Sequence, residues 1–245
     1  MNDFPFVYPY SSAEAKSRGE LELWRESYRA NLHCKKAIEE AIRHGFDGMH
    51  LNKDCVDQVL AGYGFKRVAW VLANTIQQKD WDGRFSQENK MWAKQTYIPP
   101  DRYEFIGCDH NRDLVVESHP AVLDGFVDQY RRVYQALGLF DRTHCVADEQ
   151  DFKGKVLVLS PDILKESCWT PQDQLWLALD GFGCDPKALG RSIRSVCLGD
   201  GEVIRWNRQD FTGVLKEDLL PDWAQAKMSE LFPPTQETPE MTQQM

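Results

Sequence analysis

The sequence predicts an α+β protein: a helical N-terminal domain followed by a small antiparallel, β-rich C-terminal domain curved into an open, barrel-like sheet. Three observations carry that expectation. Up to about residue 98, apolar residues recur at three- and four-residue steps, the period of an amphipathic helix. From Val146 onward the texture changes to short apolar runs cut by glycine, aspartate and proline, the pattern of strands separated by turns. Between them, Ile98-Pro99-Pro100 is a break that a helix does not continue through. The boundaries that follow are a helical domain over 1–98, a connecting segment and helix over 99–145, a β-rich domain with a closing helix over 146–232, and a polar tail over 233–245, expected to be mobile.

Taken in order, the aromatic arm with Phe4, Phe6, Tyr8 and Tyr10 leads to Ser11 and Ser12, either of which can cap a helix. One long helix is expected from Ala13 to His44, with Leu21, Trp24, Tyr28, Leu32, Ile38 and Ile42 on its apolar side and Gly45 just past its end. A short helix capped by Asn52 should bury Val56, Val59 and Leu60 and close at Gly62 and Gly64. The next, about Lys66 to Gln78, buries Val68, Val71, Leu72 and Ile76 and carries Trp70, Asn74 and Gln77 on a second stripe.

That helix runs into Asp80-Trp81-Asp82-Gly83, the turn around which the first half is organised. Two aspartates directly after a helix C-terminus meet its partial negative charge, so Lys79 and Arg84 are expected to offset them. Ser86 then caps a helix through Lys94. The polar-aromatic stripe beside this turn is the candidate binding surface. The competing structural account has Asn74 and the aspartates capping backbone groups and Trp81 in the core, where truncation to alanine would remove ~3–5 kcal/mol. A calcium loop is rejected, because Arg84 occupies a ligand position and the glycine comes too early.

Beyond the prolines, Tyr103–Ile106 and Leu114–Glu117 read as a strand pair, and Pro120 opens a helix ending at Gly138. Strands are expected at Lys155–Ser160, Gln174–Leu179, Ser192–Leu198, Val203–Asn207 and Thr212–Leu215, with Gly199-Asp200-Gly201 as a hairpin turn and Pro221–Leu231 as the closing helix. Gly181-Phe182-Gly183 is a sharp turn between strands rather than a dinucleotide loop, since Pro186 stands where a third glycine would.

Composition narrows function. With 42% hydrophobic residues, eight Trp and twelve Phe, the 245-residue chain should fold. The formal charge of −9 argues against wholesale coating of nucleic acid. No apolar run approaches the ~20 residues that span a bilayer, and the N-terminus lacks a signal-peptide pattern. A cytoplasmic protein that does not engage membranes is expected. The seven cysteines are dispersed and never in a CxxC pair, which suits free thiols.

No nucleophile elbow, P-loop, HExxH or deaminase HxE is present, so no cofactor or metal is expected. Cys108, His110, His119, His144 and Cys145 match no paired-ligand spacing, and Cys184, the thiol in a glycine turn, has no histidine beside it. The second half clusters Arg191, Arg194, Arg205 and Arg208 around Trp206. That set could contact phosphates and stack on bases, or form a solvated face paired to carboxylates.

Tyr8-Pro9-Tyr10-Ser11, Gly19-Glu20-Leu21-Glu22-Leu23-Trp24-Arg25, Phe46-Asp47-Gly48-Met49-His50-Leu51 and VLANTIQQKDWDGRFS together resemble a domain-of-unknown-function family encoded on conjugative and integrative elements of gut anaerobes, over about residues 5–98. QLWLALDGFGCDPKALGR, Asp200-Gly201-Glu202 and WNRQDFTGVL resemble a module at the ends of other proteins of such elements. The resemblance implies element transfer, regulation or counter-defence and carries over no catalytic residue. The leading expectation is a non-enzymatic adaptor engaging a protein or nucleic-acid partner through His50, Asn74, Asp80, Trp81, Asp82 and Arg84 or through the arginine hairpin. Two alternatives are an enzyme on nucleic acid or nucleotides using His50, Asp80, Asp82 and Arg84, and a homo-oligomerising structural module.

Overall fold

The computed structural model describes residues 6–102 and 109–231. The chain forms two units, Met1–Ala136 and Leu137–Met245. In the first, α1 (Ser12–Arg18) and α2 (Leu21–Gly45) replace the single expected helix from Ala13 to His44. Gly19 lies at φ 73°, and the Glu20 N–H reaches back to the Ala15 carbonyl at 2.8 Å, so α1 closes in a left-handed cap that the apolar period alone does not reveal.

Gly45 is the last residue of α2 rather than the residue past it. A Cβ there would sit 2.8 Å from the Cys55 sulfur, so the glycine serves close approach. Asn52 caps a turn at Asp54, and α3 (Asp57–Gln78) starts later with Val56 before it, breaking at Gly64 (φ 75°, ψ 166°). Short α4 (Gln87–Ala93) and α5 (His110–Asp113) precede α6 (Pro120–Ala136).

The core joins Cys34, Ile38 and Ile42 of α2, Val68, Val71, Leu72 and Ile76 of α3, and Leu123, Phe126 and Val127 of α6. Arg67, 1% exposed, is buried with it. Its guanidinium donates to the Phe6 and Ser27 carbonyls at 3.0 and 2.9 Å and to Asn31 Oδ1, which offsets much of the desolvation of its charge.

The expected strand Tyr103–Ile106 and the tail 233–245 lie outside the described residues. Leu114–Glu117 is not a strand: the Val116 N–H donates to Thr75 Oγ1 at 3.0 Å and the Glu117 N–H to Glu39 Oε1 at 2.7 Å, so side chains satisfy the groups a ladder would use.

The second unit holds an open antiparallel sheet of β1 (Val156–Leu159), β2 (Leu175–Gly181), β3 (Ser192–Cys197), β4 (Val203–Asn207) and β5 (Phe211–Val214), in the order β4-β3-β2-β1-β5. A helical turn, α7 (Pro171–Gln174), leads into β2, and α8 (Asp222–Leu231) follows β5. Both sheet faces are buried. Leu157, Leu159, Trp176, Ala178 and Ile193 pack with Phe152, whereas Val156, Val158, Leu175, Leu177 and Val196 pack with Ala224 of α8. The β5 edge is covered where the Val146 N–H bonds the Val214 carbonyl at 2.8 Å. Among the described residues, no helix is long and apolar enough to cross a membrane.

Candidate functional site

The Asp-Trp-Asp-Gly turn is held from both sides. The Asp82 N–H bonds the Lys79 carbonyl at 2.9 Å as α3 ends. Buried Lys90 of α4 places its ammonium 2.6 Å from the Asp80 carbonyl, and the Asp80 carboxylate pairs with Lys94 at 3.3 Å. Arg84 clasps Asp82 in a fork, Nε to Oδ1 at 3.0 Å and Nη2 to Oδ2 at 2.7 Å, while its own N–H donates to Oδ1. Asp80 is thus offset by Lys94 rather than by Lys79, whose ammonium bonds the Val116 carbonyl instead. Ser86 caps α4 as expected, accepting from the Asn89 N–H at 3.2 Å.

Trp81 is not a core residue. It is 81% exposed, and the aromatic that anchors the turn is Phe85, 3% exposed. The earlier expectation of ~3–5 kcal/mol for Trp81→Ala assumed burial. With none, the substitution is expected to change unfolding free energy by no more than about 0.5 kcal/mol; a larger drop on urea denaturation would refute the exposed placement.

The Arg84 guanidinium and N–H beside Asp82 hold its carboxyl down at about 2, well below its ordinary 3.8. A depressed folded value stabilises the fold fully above the unfolded pKa and loses that contribution as pH falls through the folded one. Carboxyl NMR should therefore find Asp82 still ionised at pH 3 and titrating with a midpoint of about 2; a midpoint at the ordinary value would show that the clasp is open in solution.

Beside the turn lies a cleft of about 400 Å³ lined by Gln77, Asp80, Lys94, Gln95, Thr96, Tyr97 and Ile98. Tyr97 is 75% exposed, and Met91 on α4 is exposed as well. The surface therefore combines large apolar groups with two acid–base pairs that neutralise one another.

The other expected members are placed differently. Asn74 is fully buried and donates to the Asn111 carbonyl at 2.8 Å; Gln77 donates to the Ala93 and Thr96 carbonyls; Trp70 is buried. Trp70 and Asn74 are thus internal, while Gln77 reaches the cleft wall. His50 sits in the Phe46–Leu51 loop, where the Asp47 carboxylate accepts from its N–H, and shares no contact with Asp80 or Asp82 among the described interactions.

In the arginine hairpin, Arg194 and Arg205 face one another across β3 and β4 and both reach Asp180, at 3.1 and 3.3 Å. Arg208 donates to the Phe211 carbonyl and lies over the Phe152 ring, and Arg191 is exposed. Trp206 packs edge-on against Trp176 on the sheet face opposite Arg205, because successive strand residues point to opposite sides. A stacking platform flanked by those two arginines is therefore not assembled.

His110 contacts Asp101, and His144 pairs with Asp141; Cys108 lies outside the described residues. Among the described residues, no three His, Cys, Asp or Glu side chains converge as a metal site. Burial pushes the Cys184 thiol up, which keeps it protonated rather than nucleophilic.

Residues 7–135 match the model of a family described as protein of unknown function (DUF3849). No curated protein matches the chain, and no solved structure does.

Proposed function

The chain belongs to the DUF3849 family, matched through α6, and from the geometry of that region we propose that it is a non-enzymatic adaptor binding a protein partner through the Trp81–Tyr97 surface. The observation that carries this reading is Trp81 itself, 81% exposed on a turn clamped by Lys90, Lys94 and Arg84. An exposed tryptophan on a clamped turn offers a large apolar face whose backbone has little ordering entropy left to lose, the setting of an interface hot spot. The balanced charges around it favour a protein over a polyanion. Asp80 and Asp82 are engaged in ion pairs and backbone bonds, which supports recognition over acid–base chemistry.

The resemblance to proteins of conjugative elements supports a setting in element transfer, regulation or counter-defence. Free, buried thiols among the described cysteines support a reducing, cytoplasmic compartment. The test is a pull-down from a host bearing such an element, with and without nuclease, followed by titration of the captured protein. Trp81→Ala should weaken that partner by ~2 kcal/mol or more, about thirtyfold. Undiminished capture by Trp81→Ala, and by a variant altered at Asp80, Asp82 and Arg84, would overturn the reading.

A further inference from the structure

A second surface lies on the α8 face of the sheet, independent of Trp81. Between α8 and β2 runs an open groove of about 550 Å³ whose walls include Lys153, Leu177, Leu179, Leu220, Gln225 and Met228. Asp180 follows Leu179 directly, and the register sets Arg194 opposite Asp180 and Arg205 opposite Arg194. Arg194 shares a face with Val196, two residues on, and Val196 packs on the α8 side. The two guanidiniums therefore lie on the α8 face of the sheet, one and two strands from the β2 wall of the groove.

That pair is under-neutralised. Like charges directly opposite on neighbouring strands destabilise a sheet, and one carboxylate serves both. Each guanidinium gives Asp180 a single N–H of its five donors, and both remain about half exposed. Lys153 adds a further cation on the groove wall. On a chain of formal charge −9, two guanidiniums sharing one carboxylate on the face that carries the apolar groove point to an acidic complement.

We propose that the α8 face of the C-terminal sheet binds an acidic amphipathic peptide segment, its apolar side chains in the groove and its carboxylates on Arg194 and Arg205. Guanidinium forks match carboxylate geometry, and the second acid completes the neutralisation that Asp180 begins. An open groove does not enclose most of a small amphiphile's surface, as a small-molecule pocket must, whereas a peptide can lie along it. Nucleic acid fits less well, because the apolar wall offers phosphates nothing and Trp206 lies on the other face.

The test is fluorescence anisotropy with a labelled synthetic peptide carrying leucines on one helical face and glutamates on the other, against its lysine counterpart. The intact chain should bind the acidic peptide and not the basic one. R194Q/R205Q should weaken binding about tenfold or more with an unaltered thermal midpoint, and Met228→Glu, which places a charge in the groove, should weaken it as well. Trp81→Ala should bind the peptide as wild type does, which separates failure here from failure of the adaptor surface. Equal affinity for both peptides, or no loss in R194Q/R205Q, would overturn the proposal. Tighter binding of a labelled single-stranded oligonucleotide, lost in the same variants, would overturn it in favour of nucleic acid. Peptide binding seen only after removal of residues 233–245 would overturn it in favour of the chain's own C-terminal segment.

Discussion

Asp101→Ala is expected to destabilise the helical unit by about 3–5 kcal/mol, the loss typical when one partner of a buried charged network is removed. The Asp101 carboxylate is 6% exposed and accepts from the Ser12 N–H at 3.1 Å, the Ser12 hydroxyl and the Trp24 indole N–H at 3.0 Å, with His110 Nδ1 at 3.3 Å. One side chain thereby ties the start of α1, the outer turn of α2 and the start of α5. Alanine would strand the indole and backbone donors, each at a cost of ~1–3 kcal/mol when left unsatisfied. Asp101→Asn keeps an acceptor oxygen and should lose roughly half as much by the same reckoning. Urea denaturation followed by tryptophan fluorescence reads both; an alanine variant within about 1 kcal/mol of wild type would remove Asp101 from its place as the hub.

That hub was not legible in the sequence, and the reason is physical. Ser12 and Trp24 lie 89 and 77 residues away, and only His110, nine residues on, is near in sequence. What was legible depended on local chemistry. The runs VLVL, LWLAL and VIRWN became β1, β2 and β4 because clustered branched and aromatic residues suit a packed, pleated surface. Ser86 capped α4 because its hydroxyl can reach the N–H three residues on.

Periodicity failed where the backbone left its regular geometry. The helical expectation from Ala13 had no signal to stop it at Gly19, where the chain turns left-handed, and in the Trp81–Phe85 turn there is no period to decide which aromatic goes in. The sequence reading therefore placed the wrong aromatic of this turn in the core: Trp81 is exposed and Phe85 is buried.

Gly181→Ala should destabilise the sheet unit by about 2–5 kcal/mol. Gly181 lies at φ 98°, where an L side chain is strained by ~1–2 kcal/mol, and an added Cβ would stand 2.4 Å from the Ser192 carbonyl oxygen. That oxygen is backbone in the β2–β3 pairing and accepts from the Phe182 N–H at 2.9 Å, so relief requires opening the ladder, an overpacking loss of ~1–3 kcal/mol. Gly201 separates the two contributions. It lies at φ 83° in the β3–β4 hairpin with nothing within 4 Å of an added Cβ, so Gly201→Ala carries backbone strain alone, about 1–2 kcal/mol. Thermal unfolding of the two variants should therefore differ by the clash. If they melted together, the turn at Gly181-Phe182-Gly183 would be yielding, and the register that sets Arg194 against Asp180 would not be fixed by it.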